Sequence, residues 1–430
     1  MSSSNSSDSI FDEQSEQSEQ PQNSRANGTR RAIAAIAMGA FAVSPIAACS
    51  NDVDDDAVPS SSAASAVSAT SSEEKTFEKQ QVAELNAAAN VRPAAVAKLP
   101  AGFDLQSHRG GRGQWTEESK QAMANSLALG VTTLELDIVL TKDGVPMVWH
   151  DPEVQDDKCS DTEPVAEGDS QFPYVGKLVH DLTYEQVQTL VCDKELEDFP
   201  DAEPIRGNRM MTLPELFELT KNNQDIHFNI ETKIEGEKRG DSAEPQEFVD
   251  VILDEIDRAG VAERVMIQSF DWRSLPLVAE RNPEIPLVML WDETTWKKDS
   301  PWTGDVNYDE VDGDIIEAAK QLGVQVLSPT HSIPYGKTPS DAGYRPVATP
   351  ELISRAHEAG MKVVPWTVNE KETMREQIAA GVDGIITDYP TRLREVLAEL
   401  NMPLPEPAPV GDPVGEPAGD PVDDPEMATN

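Results

Sequence analysis

The sequence predicts a (β/α)8 TIM barrel with a small inserted subdomain after the second barrel strand and disordered acidic tails. From residue 101 to residue 400, short apolar runs alternate with amphipathic stretches of about ten to fifteen residues. This pattern is typical of parallel strands joined by crossover helices. Nine apolar runs have strand length, but one follows its predecessor too closely for a crossover, which needs about a dozen residues. Eight parallel strands remain.

The candidate strands are rich in β-branched and aromatic residues, as strands generally are. Only Thr141–Val145 separates the second run from the third, and Asp143-Gly144 is a hairpin signal, so the third run should be antiparallel and project from the barrel mouth. The runs are FDLQSH at 103–108, TTLELDI at 132–138, PMVWH at 146–150, IHFNIET at 226–232, RVMIQSF at 264–270, PLVMLW at 286–291, VQVLSP at 324–329, KVVPWTV at 362–368 and GIITD at 384–388.

Amphipathic stretches between these runs predict the helices. The first is expected to begin with Thr116 as its N-cap, to hold Glu117 and Glu118 in its first turn, and to stop at Gly130. Glycines end several of the others, as helix C-termini prefer. The later stretches are LPELFELTKN, EPQEFVDVILDEIDRAG, DWRSLPLVAERN, DEVDGDIIEAAKQLG, TPELISRAHEAG, EKETMREQIAAG and YPTRLREVLAEL.

Residues 1–48 are similar to a bacterial lipoprotein signal. Paired Arg30 and Arg31 precede a short apolar run that ends at Cys49, an order typical of export signals. The resemblance implies cleavage before Cys49, a lipid on its sulfur, and an exported protein anchored to the cell envelope, periplasmic or at the outer membrane. The arginine pair is also similar to a twin-arginine signal. A buried apolar helix is the alternative interpretation, and membrane contact is expected only through the lipid anchor.

Three further segments lack the barrel pattern. Residues 49–100 are rich in Ser, Ala and acids and predict a disordered tether. Residues 152–211 are acidic and weakly periodic, and so long an interruption predicts an inserted subdomain over the active-site end. Residues 401–430 repeat Pro, Gly and acids and predict a disordered tail. The barrel, with its insertion, then spans 101–400.

The insertion contains Cys159 and Cys192, an even pair once Cys49 is assigned to lipid. In an oxidising compartment we expect them to form a disulfide. On the chain-entropy model, closing a loop of about 33 residues stabilises a protein by roughly 3 to 4 kcal/mol. Two independent free thiols are the alternative.

The charge balance indicates which class of partner the protein is not expected to bind. The chain has 78 acidic and 35 basic residues and a formal net charge of −43. Binding to nucleic acid needs a surplus of Lys and Arg to neutralise phosphates, so no nucleic-acid partner is expected. A serine-hydrolase site is not expected either, because the sequence lacks a GxSxG nucleophile elbow.

Polar residues cluster at the ends of the predicted strands, where active sites of such barrels form. Glu135 and Asp137 are two apart on one strand and therefore share a face. Together with Glu231 on the next parallel strand they could bind one cation, and three carboxylates favour Ca²⁺ or Mg²⁺ over zinc. The residues at this rim are His108, Arg109, Glu135, Asp137, His150, Glu231 and Lys233.

These residues lie in motifs that resemble the glycerophosphodiester phosphodiesterase family. HRG, TEES, ELD, TKDG, HD, NIETK, SF, WTVN and GVDGIITDYP occur in the family's order over residues 103–398. The resemblance implies the following positions: His108 and His150 as catalytic histidines, Glu135, Asp137 and Glu231 as metal carboxylates, Arg109 and Lys233 as phosphate ligands, and Trp366 at the substrate alcohol. The TEES motif differs from the family's usual PENT, and this difference affects the expected shape of the first loop.

The resemblance implies metal-dependent hydrolysis of a small glycerophosphodiester to glycerol 3-phosphate and an alcohol. One histidine accepts a proton and the other donates one, and an imidazole with a pKa of about 6.5 suits both roles. The sequence does not decide which histidine has which role; we favour His150 as the acid toward the leaving group. One alternative is a phospholipase-D-like or phosphoinositide-type lyase that releases a cyclic phosphate from intact lipids. Another is a non-catalytic surface-binding protein.

Several other residues have structural interpretations. Trp366 and Phe270 could equally be core aromatics. The remaining histidines are expected at surface or capping positions, as most histidines are; they are His180, His227, His331 and His357.

Overall fold

The computed structural model describes residues 92–410. The signal predicted for residues 1–48, with Cys49, lies outside the described residues, and so do most of the tether and residues 411–430. Within the described part of the chain, no helix is both long and apolar enough to cross a membrane.

Eight parallel strands form a barrel, as predicted. The ladder runs β1, β2, β4, β5, β6, β7, β8, and β9 pairs with β1. Backbone bonds from Asp383 N to Val363 O (2.9 Å) and from Ile386 N to Pro365 O (3.0 Å) join the eighth and ninth strands and close the ring. The strands are β1 Asp104–Ser107, β2 Thr133–Leu140, β3 Pro146–Val148, β4 His227–Thr232, β5 Val265–Ser269, β6 Leu287–Trp291, β7 Val326–Pro329, β8 Lys362–Val363 and β9 Gly384–Thr387.

The hairpin prediction is confirmed, whereas one strand is shorter than expected. β3 is antiparallel to β2, with Val148 opposite Ile138. The strand predicted at 362–368 ends at Val363. Pro365 lacks the N–H that a ladder requires, which breaks the regular pairing. Trp366 returns to the barrel edge through an isolated bridge to Thr330.

The first crossover helix begins later than predicted. Its N-cap is Ser119, whose hydroxyl accepts a hydrogen bond from Ala122 N at 3.0 Å, and not Thr116. Glu118 has a φ of +54°, which no helix residue adopts, so the helix cannot include it. The helices are α1 Pro93–Val96, α2 Lys120–Leu129, α3 Tyr184–Val187, α4 Leu213–Leu219, α5 Pro245–Ala259, α6 Ser274–Arg281, α7 Ile315–Leu322, α8 Pro350–Glu358, α9 Lys371–Ala380 and α10 Pro390–Glu399.

Alternation along the strands divides the interior into two layers. Leu134, Leu136 and Ile138 of β2 are fully buried in the core that also contains the helices' apolar faces. The residues between them, Glu135 and Asp137, belong to the opposite face. Apolar residues that fill a separate cluster inside the barrel include Leu99, Met266, Val288, Val326, Val364 and Ile386.

Leu99 corrects the prediction that residues 49–100 are wholly a disordered tether. It packs in this inner cluster, and Arg92 donates to Pro283 O at 3.0 Å and to Gln325 Oε1 at 2.8 Å. Burial of Leu99 and the hydrogen bonds of Arg92 help to hold this stretch against the barrel. Residues 92–100 are therefore part of the barrel.

The tail prediction also needs correction, for residues 401–410. Met402 and Val410 pack against the main core, Ala408 N donates to Leu127 O at 2.8 Å, and Asn223 Nδ2 donates to Ala408 O at 3.0 Å. Proline-rich chain can dock in this way because backbone carbonyls and a few apolar side chains supply the contacts without a regular element.

The insertion has a small core of its own. A disulfide joins Cys159 to Cys192, and the insertion's helical elements are short: α3 and a 3₁₀ turn at Val179–Asp181. The cluster rests on the β2–β3 hairpin. Its buried members are Val139, Met147, Trp149, Val154, Cys159, Tyr174, Val179, Leu182, Val187, Leu190, Cys192 and Met210.

Candidate active site

His108 follows β1 directly, in a 3₁₀ turn at the carboxyl end of the barrel. Its Nδ1 lies 2.5 Å from Asp388 Oδ1, which directs Nε2 toward the cavity, 3.9 Å from Glu135 Oε2. Asp388 follows β9 and accepts a hydrogen bond from Asn369 Nδ2 at 2.7 Å. Burial lowers the pKa of His108, and this outweighs the opposite effect of Asp388. The imidazole is therefore neutral at pH 7 and fixed in orientation.

Arg109 is buried beside His108 with a φ of +50°, a left-handed conformation that costs free energy for a residue with a side chain. Its Nη1 donates to Glu117 Oε2 at 3.2 Å, and its Nε lies 3.0 Å from Asp137 Oδ2. Burial opposes the charged form, but the two carboxylates outweigh burial and raise the pKa of Arg109. Its cation is therefore permanent.

The three predicted carboxylates come together. Glu231 is the direct neighbour of Asp137 in the β2–β4 register, and Glu135 is two residues before Asp137. One oxygen from each of the three lies within 4.8 Å of the others. Burial, with Asp137 as a nearby negative charge, raises the pKa of Glu135, and raises that of Glu231 to about 8. Three buried acids so close together repel one another when ionised.

Two hydrogen bonds orient the Glu135 carboxylate. Glu135 accepts from Arg109 N at 3.0 Å and from Gln268 Nε2 at 2.6 Å. Gln268 Oε1 in turn accepts from Asn229 Nδ2 at 2.8 Å. Asp137 is 1% exposed, and its Oδ2 has no hydrogen-bond partner among residues 92–410, although Arg109 lies near it.

Lys233 completes this side of the site. Its Nζ lies 3.0 Å from Glu231 Oε1 and 3.9 Å from Asp137 Oδ1. The ammonium also lies 5.9 Å from the centre of the Phe270 ring, within reach of a cation–π attraction. Burial lowers its pKa, but the two carboxylates outweigh burial and raise it.

His150 reaches the cavity from the hairpin. Its Nδ1 lies 2.8 Å from Asp151 Oδ1. Asp151 Oδ2 accepts a hydrogen bond from Lys158 Nζ at 2.5 Å. Burial and the cations of Arg109 and Lys233 lower the pKa of His150 well below its usual value. Each histidine thus has a carboxylate on Nδ1.

A cavity of about 640 Å³ brings most of the predicted residues together at one end of the barrel. Asp137 does not line this cavity, but its Oδ2 lies 3.0 Å from Arg109 Nε and its Oδ1 lies 3.9 Å from Lys233 Nζ. Trp366 faces the cavity and donates from Nε1 to Ser328 O at 2.9 Å, and its ring lies 5.2 Å from that of Phe270. The predicted residues that line the cavity are His108, Arg109, Glu135, His150, Glu231, Lys233 and Trp366.

Several charged residues around the site were not predicted to take part in it. Asp388 could have been found, since it ends the last strand within GVDGIITDYP. Glu117 and Glu118 were expected in the first turn of a helix, but both lie before it and are buried, and Glu118 Oε1 accepts from Asp137 N at 2.9 Å. Lys158 lies in the insertion, where no periodic pattern or strand end marks it.

A model of the glycerophosphoryl diester phosphodiesterase family matches residues 108–392. This match contains every predicted site residue except Cys49. The chain belongs to this family. It is therefore an enzyme, a phosphoric diester hydrolase, and the carboxyl-end cavity lies where barrels of this type have their active sites.

Individual relatives match about two thirds or more of the chain. A glycerophosphodiester phosphodiesterase of Caldanaerobacter subterraneus is 29% identical over 287 residues, covering 67% of this chain and 94% of the relative. A human lysophospholipase D is 23% identical over 299 residues, covering 68% of this chain and 85% of its own. A Silicibacter pomeroyi structure named after the same family aligns with a TM-score of 0.58 and 27% identity, covering 72% of this chain and 97% of that one.

Proposed function

We propose that this enzyme hydrolyses glycerophosphodiesters to glycerol 3-phosphate and an alcohol, using His108 and His150 as acid and base and a divalent cation, Ca²⁺ or Mg²⁺. One observation carries the proposal. Two carboxylate-bound histidines, two cations and three clustered carboxylates meet at one end of the barrel. A phosphodiester needs this combination, because an anion must be bound, charge must be neutralised, and protons must move on both sides of phosphorus.

The donor set fits a hard divalent cation. Glu135, Asp137 and Glu231 offer three oxygens within 4.8 Å of one another, and all three side chains are buried. Ionised carboxylates in such proximity cost free energy unless a cation lies between them. When bound, the ion would neutralise charge on the phosphoryl oxygens.

Arg109 and Lys233 would bind the phosphate. Both line the cavity, and both keep their charge because neighbouring carboxylates raise their pKa values. Each is also fixed in place, Arg109 by Glu117 and Asp137, and Lys233 by Glu231. Pre-oriented cations lose little conformational entropy on binding an anion, which favours the transition state.

The two histidines suit proton transfer in opposite directions. Burial favours the neutral imidazole of His108, and Asp388 fixes its orientation, with Nε2 free to accept a proton from the nucleophile. His150 is neutral in the free enzyme, because burial and two cations lower its pKa. A bound phosphodiester would offset those cations and raise that pKa, so that His150 could carry the proton for the leaving alkoxide. Trp366 would contact the substrate alcohol.

Product analysis tests this proposal. The full chain is incubated with glycerophosphocholine and, separately, with a lysolipid, each with Ca²⁺, with Mg²⁺ and with a chelator, and phosphorus NMR follows the products. We expect glycerol 3-phosphate from glycerophosphocholine, lost with the chelator. A cyclic phosphate would indicate the lyase alternative. No release from any headgroup at saturating metal would support a non-catalytic binding protein instead.

Activity on lysolipids is a second candidate, favoured by the human relative named lysophospholipase D. The aromatic side chains of Phe270, Tyr335 and Trp366 line one wall of the cavity, and such a wall would contact an acyl chain as readily as an alcohol. Faster turnover of lysophosphatidylcholine than of glycerophosphocholine would favour this substrate.

We also propose export and lipid attachment at Cys49, on the sequence pattern of residues 30–49. Mass spectrometry of the mature N-terminal peptide should find a lipid on Cys49. Cys49→Ala should move the protein from the membrane fraction to the soluble fraction of cells, and an unchanged distribution would contradict the anchor.

A further inference from the structure

We propose that Lys158, which the insertion contributes, is a positioning residue that connects the His150 side of the active site to the Arg109 side. The inference rests on the proposed function, because it assigns Lys158 a role in that reaction. Lys158 lies outside the cavity and does not touch the reacting atoms; it acts through two carboxylates that hold other residues.

The contacts form one continuous chain across the site. Lys158 Nζ lies 2.5 Å from Asp151 Oδ2 and 2.6 Å from Glu117 Oε1. The second oxygen of Asp151 contacts His150 Nδ1 at 2.8 Å, and the second oxygen of Glu117 accepts from Arg109 Nη1 at 3.2 Å. One ammonium therefore holds both the carboxylate that orients a histidine and the carboxylate that orients the phosphate ligand.

Burial makes this pairing more than a surface ion pair. The Lys158 side chain is 12% exposed, and those of Asp151 and Glu117 are 12% and 4% exposed. Buried charges interact strongly and lose a large solvation free energy, so removal of one partner leaves the others uncompensated. The carboxylates outweigh burial and raise the pKa of Lys158, so its cation is kept.

The two carboxylates depend on Lys158 unequally. Glu117 also has Arg109 and Arg112 nearby, the latter at 3.5 Å. Among the described residues, the side chains paired with Asp151 are those of His150 and Lys158, and of these only Lys158 is charged in the free enzyme. Without the ammonium, Asp151 would be free to turn toward water, and His150 would lose its fixed orientation. The larger effect should therefore fall on His150, and so on the chemical step.

The insertion fixes the backbone of Lys158. Lys158 N and Cys159 N both donate to Gln155 O, at 3.3 and 3.0 Å, and the disulfide joins the next residue to Cys192. The ammonium also lies 5.5 Å from the centre of the Trp149 ring. The insertion therefore completes the polar network of the barrel.

Steady-state kinetics on glycerophosphocholine with saturating metal test the inference. We expect Lys158→Met to lower kcat by about 10- to 100-fold, the loss typical when a partner that orients a site residue is removed, and to change KM by no more than about twofold. Lys158→Arg should recover most of kcat, since it keeps the charge. Lys177→Met, at a half-buried lysine of the same insertion outside the cavity, is the matched control and should match wild type.

A double-mutant cycle separates positioning from general loosening. If Lys158 acts through Asp151, Lys158→Met should add little to the loss caused by Asp151→Asn. Additive losses, or a Lys158→Met kcat within about twofold of wild type, would overturn the role. Equal losses in the Arg and Met variants would overturn it too, because the cation would then not matter.

The controls distinguish this inference from the proposed function. If the wild-type enzyme turns over the substrate and Lys158→Met is equally active, only the role of Lys158 is overturned. A wild-type enzyme that releases no glycerol 3-phosphate overturns the proposed function and the inference with it. Circular dichroism checks folding; if Lys158→Met does not fold, Lys158→Gln, which keeps the packing of the stem, carries the same expectation and the same contradiction.

Discussion

In the barrel, the three clustered carboxylates lie on strands whose neighbours set their register to a single residue, so Asp137 is the direct neighbour of Glu231. In the insertion, Lys158 lies on a loop held by a disulfide and a small apolar cluster. Both regions place charged atoms within hydrogen-bonding distance of their partners. In the barrel, the repeating backbone pattern of the strands does this, and that pattern can be recognised in the sequence. In the insertion, cross-links between distant residues do it, and the sequence does not show which residues they bring together.

This difference suggests that the two regions have different roles in the reaction. The barrel would supply the groups that touch the substrate, and the insertion would supply a group that orients them. Changes in the barrel should then affect turnover with little loss of stability, whereas changes in the insertion should affect local stability and, through Lys158, turnover. Each prediction below tests one side of this comparison.

The largest effects are expected at the histidines. His108→Ala and His150→Ala should each lower kcat by at least about 1,000-fold, since each removes a proton-transfer group. The melting temperature should change little, because both side chains line a cavity and are not in the apolar core. The assay is release of glycerol 3-phosphate from glycerophosphocholine, followed by phosphorus NMR. Turnover near the wild-type rate in either variant would remove that histidine from the acid-base pair.

The next effect concerns metal binding. Glu231→Gln keeps the shape of the side chain but removes a ligand charge, so the metal concentration for half-maximal activity should rise by at least about tenfold. Glu218→Gln, an exposed glutamate on α4, is the control and should leave the metal titration unchanged. An unaltered titration for Glu231→Gln would exclude Glu231 from the ligand set.

The disulfide tests the insertion directly. Replacing Cys159 and Cys192 with serine should destabilise the insertion by about 2 to 5 kcal/mol, as removal of native disulfides generally does. Hydrogen exchange should speed up in residues 152–211 and stay unchanged in the barrel strands. Equal acceleration in β1 and β2 would show that the two regions unfold together, contrary to the comparison.

A smaller effect separates two hydroxyls in one loop. Ser119→Ala removes the N-cap of α2 and should lower the free energy of unfolding by about 1 kcal/mol. Thr116 instead accepts a hydrogen bond from Ile205 N at 2.7 Å, in the insertion. Thr116→Ala should therefore speed up hydrogen exchange at Ile205 and leave α2 unaffected; protection lost in α2 would restore Thr116 as the cap.

The smallest effect is a pH dependence of stability. Burial lowers the pKa values of His108 and His150 in the folded protein. Such histidines bind fewer protons in the folded state than in the unfolded state. Their contribution to the free energy of unfolding is therefore present above the unfolded pKa of about 6.5 and is lost as pH falls below it. Between pH 7 and pH 5, the change in melting temperature should therefore be more negative in the wild type than in His108→Gln, which lacks one of these histidines. An equal change in the two proteins would contradict the assignment to His108.

Much of the fold and of the cavity was predictable from the sequence. Short apolar runs identified the strands, the short Asp143-Gly144 turn identified the hairpin, and the spacing of two placed Glu135 and Asp137 on one face. These are local properties, because a strand's side-chain direction follows from its own backbone. The order of residues 92–100 and 401–410 was harder to predict, since a few contacts with distant residues hold these proline-containing segments in place.

The sequence by itself determined which residues end the strands, and therefore which charges could meet at the barrel mouth. Only the tertiary structure decided what holds them there. His108 is bonded to Asp388, 280 residues away, and Lys158 joins Glu117 to Asp151 from within an aperiodic insertion. A backbone repeat sets the direction of a side chain locally, whereas the partner of a buried charge depends on which distant segments the closed barrel and its cross-link bring into contact.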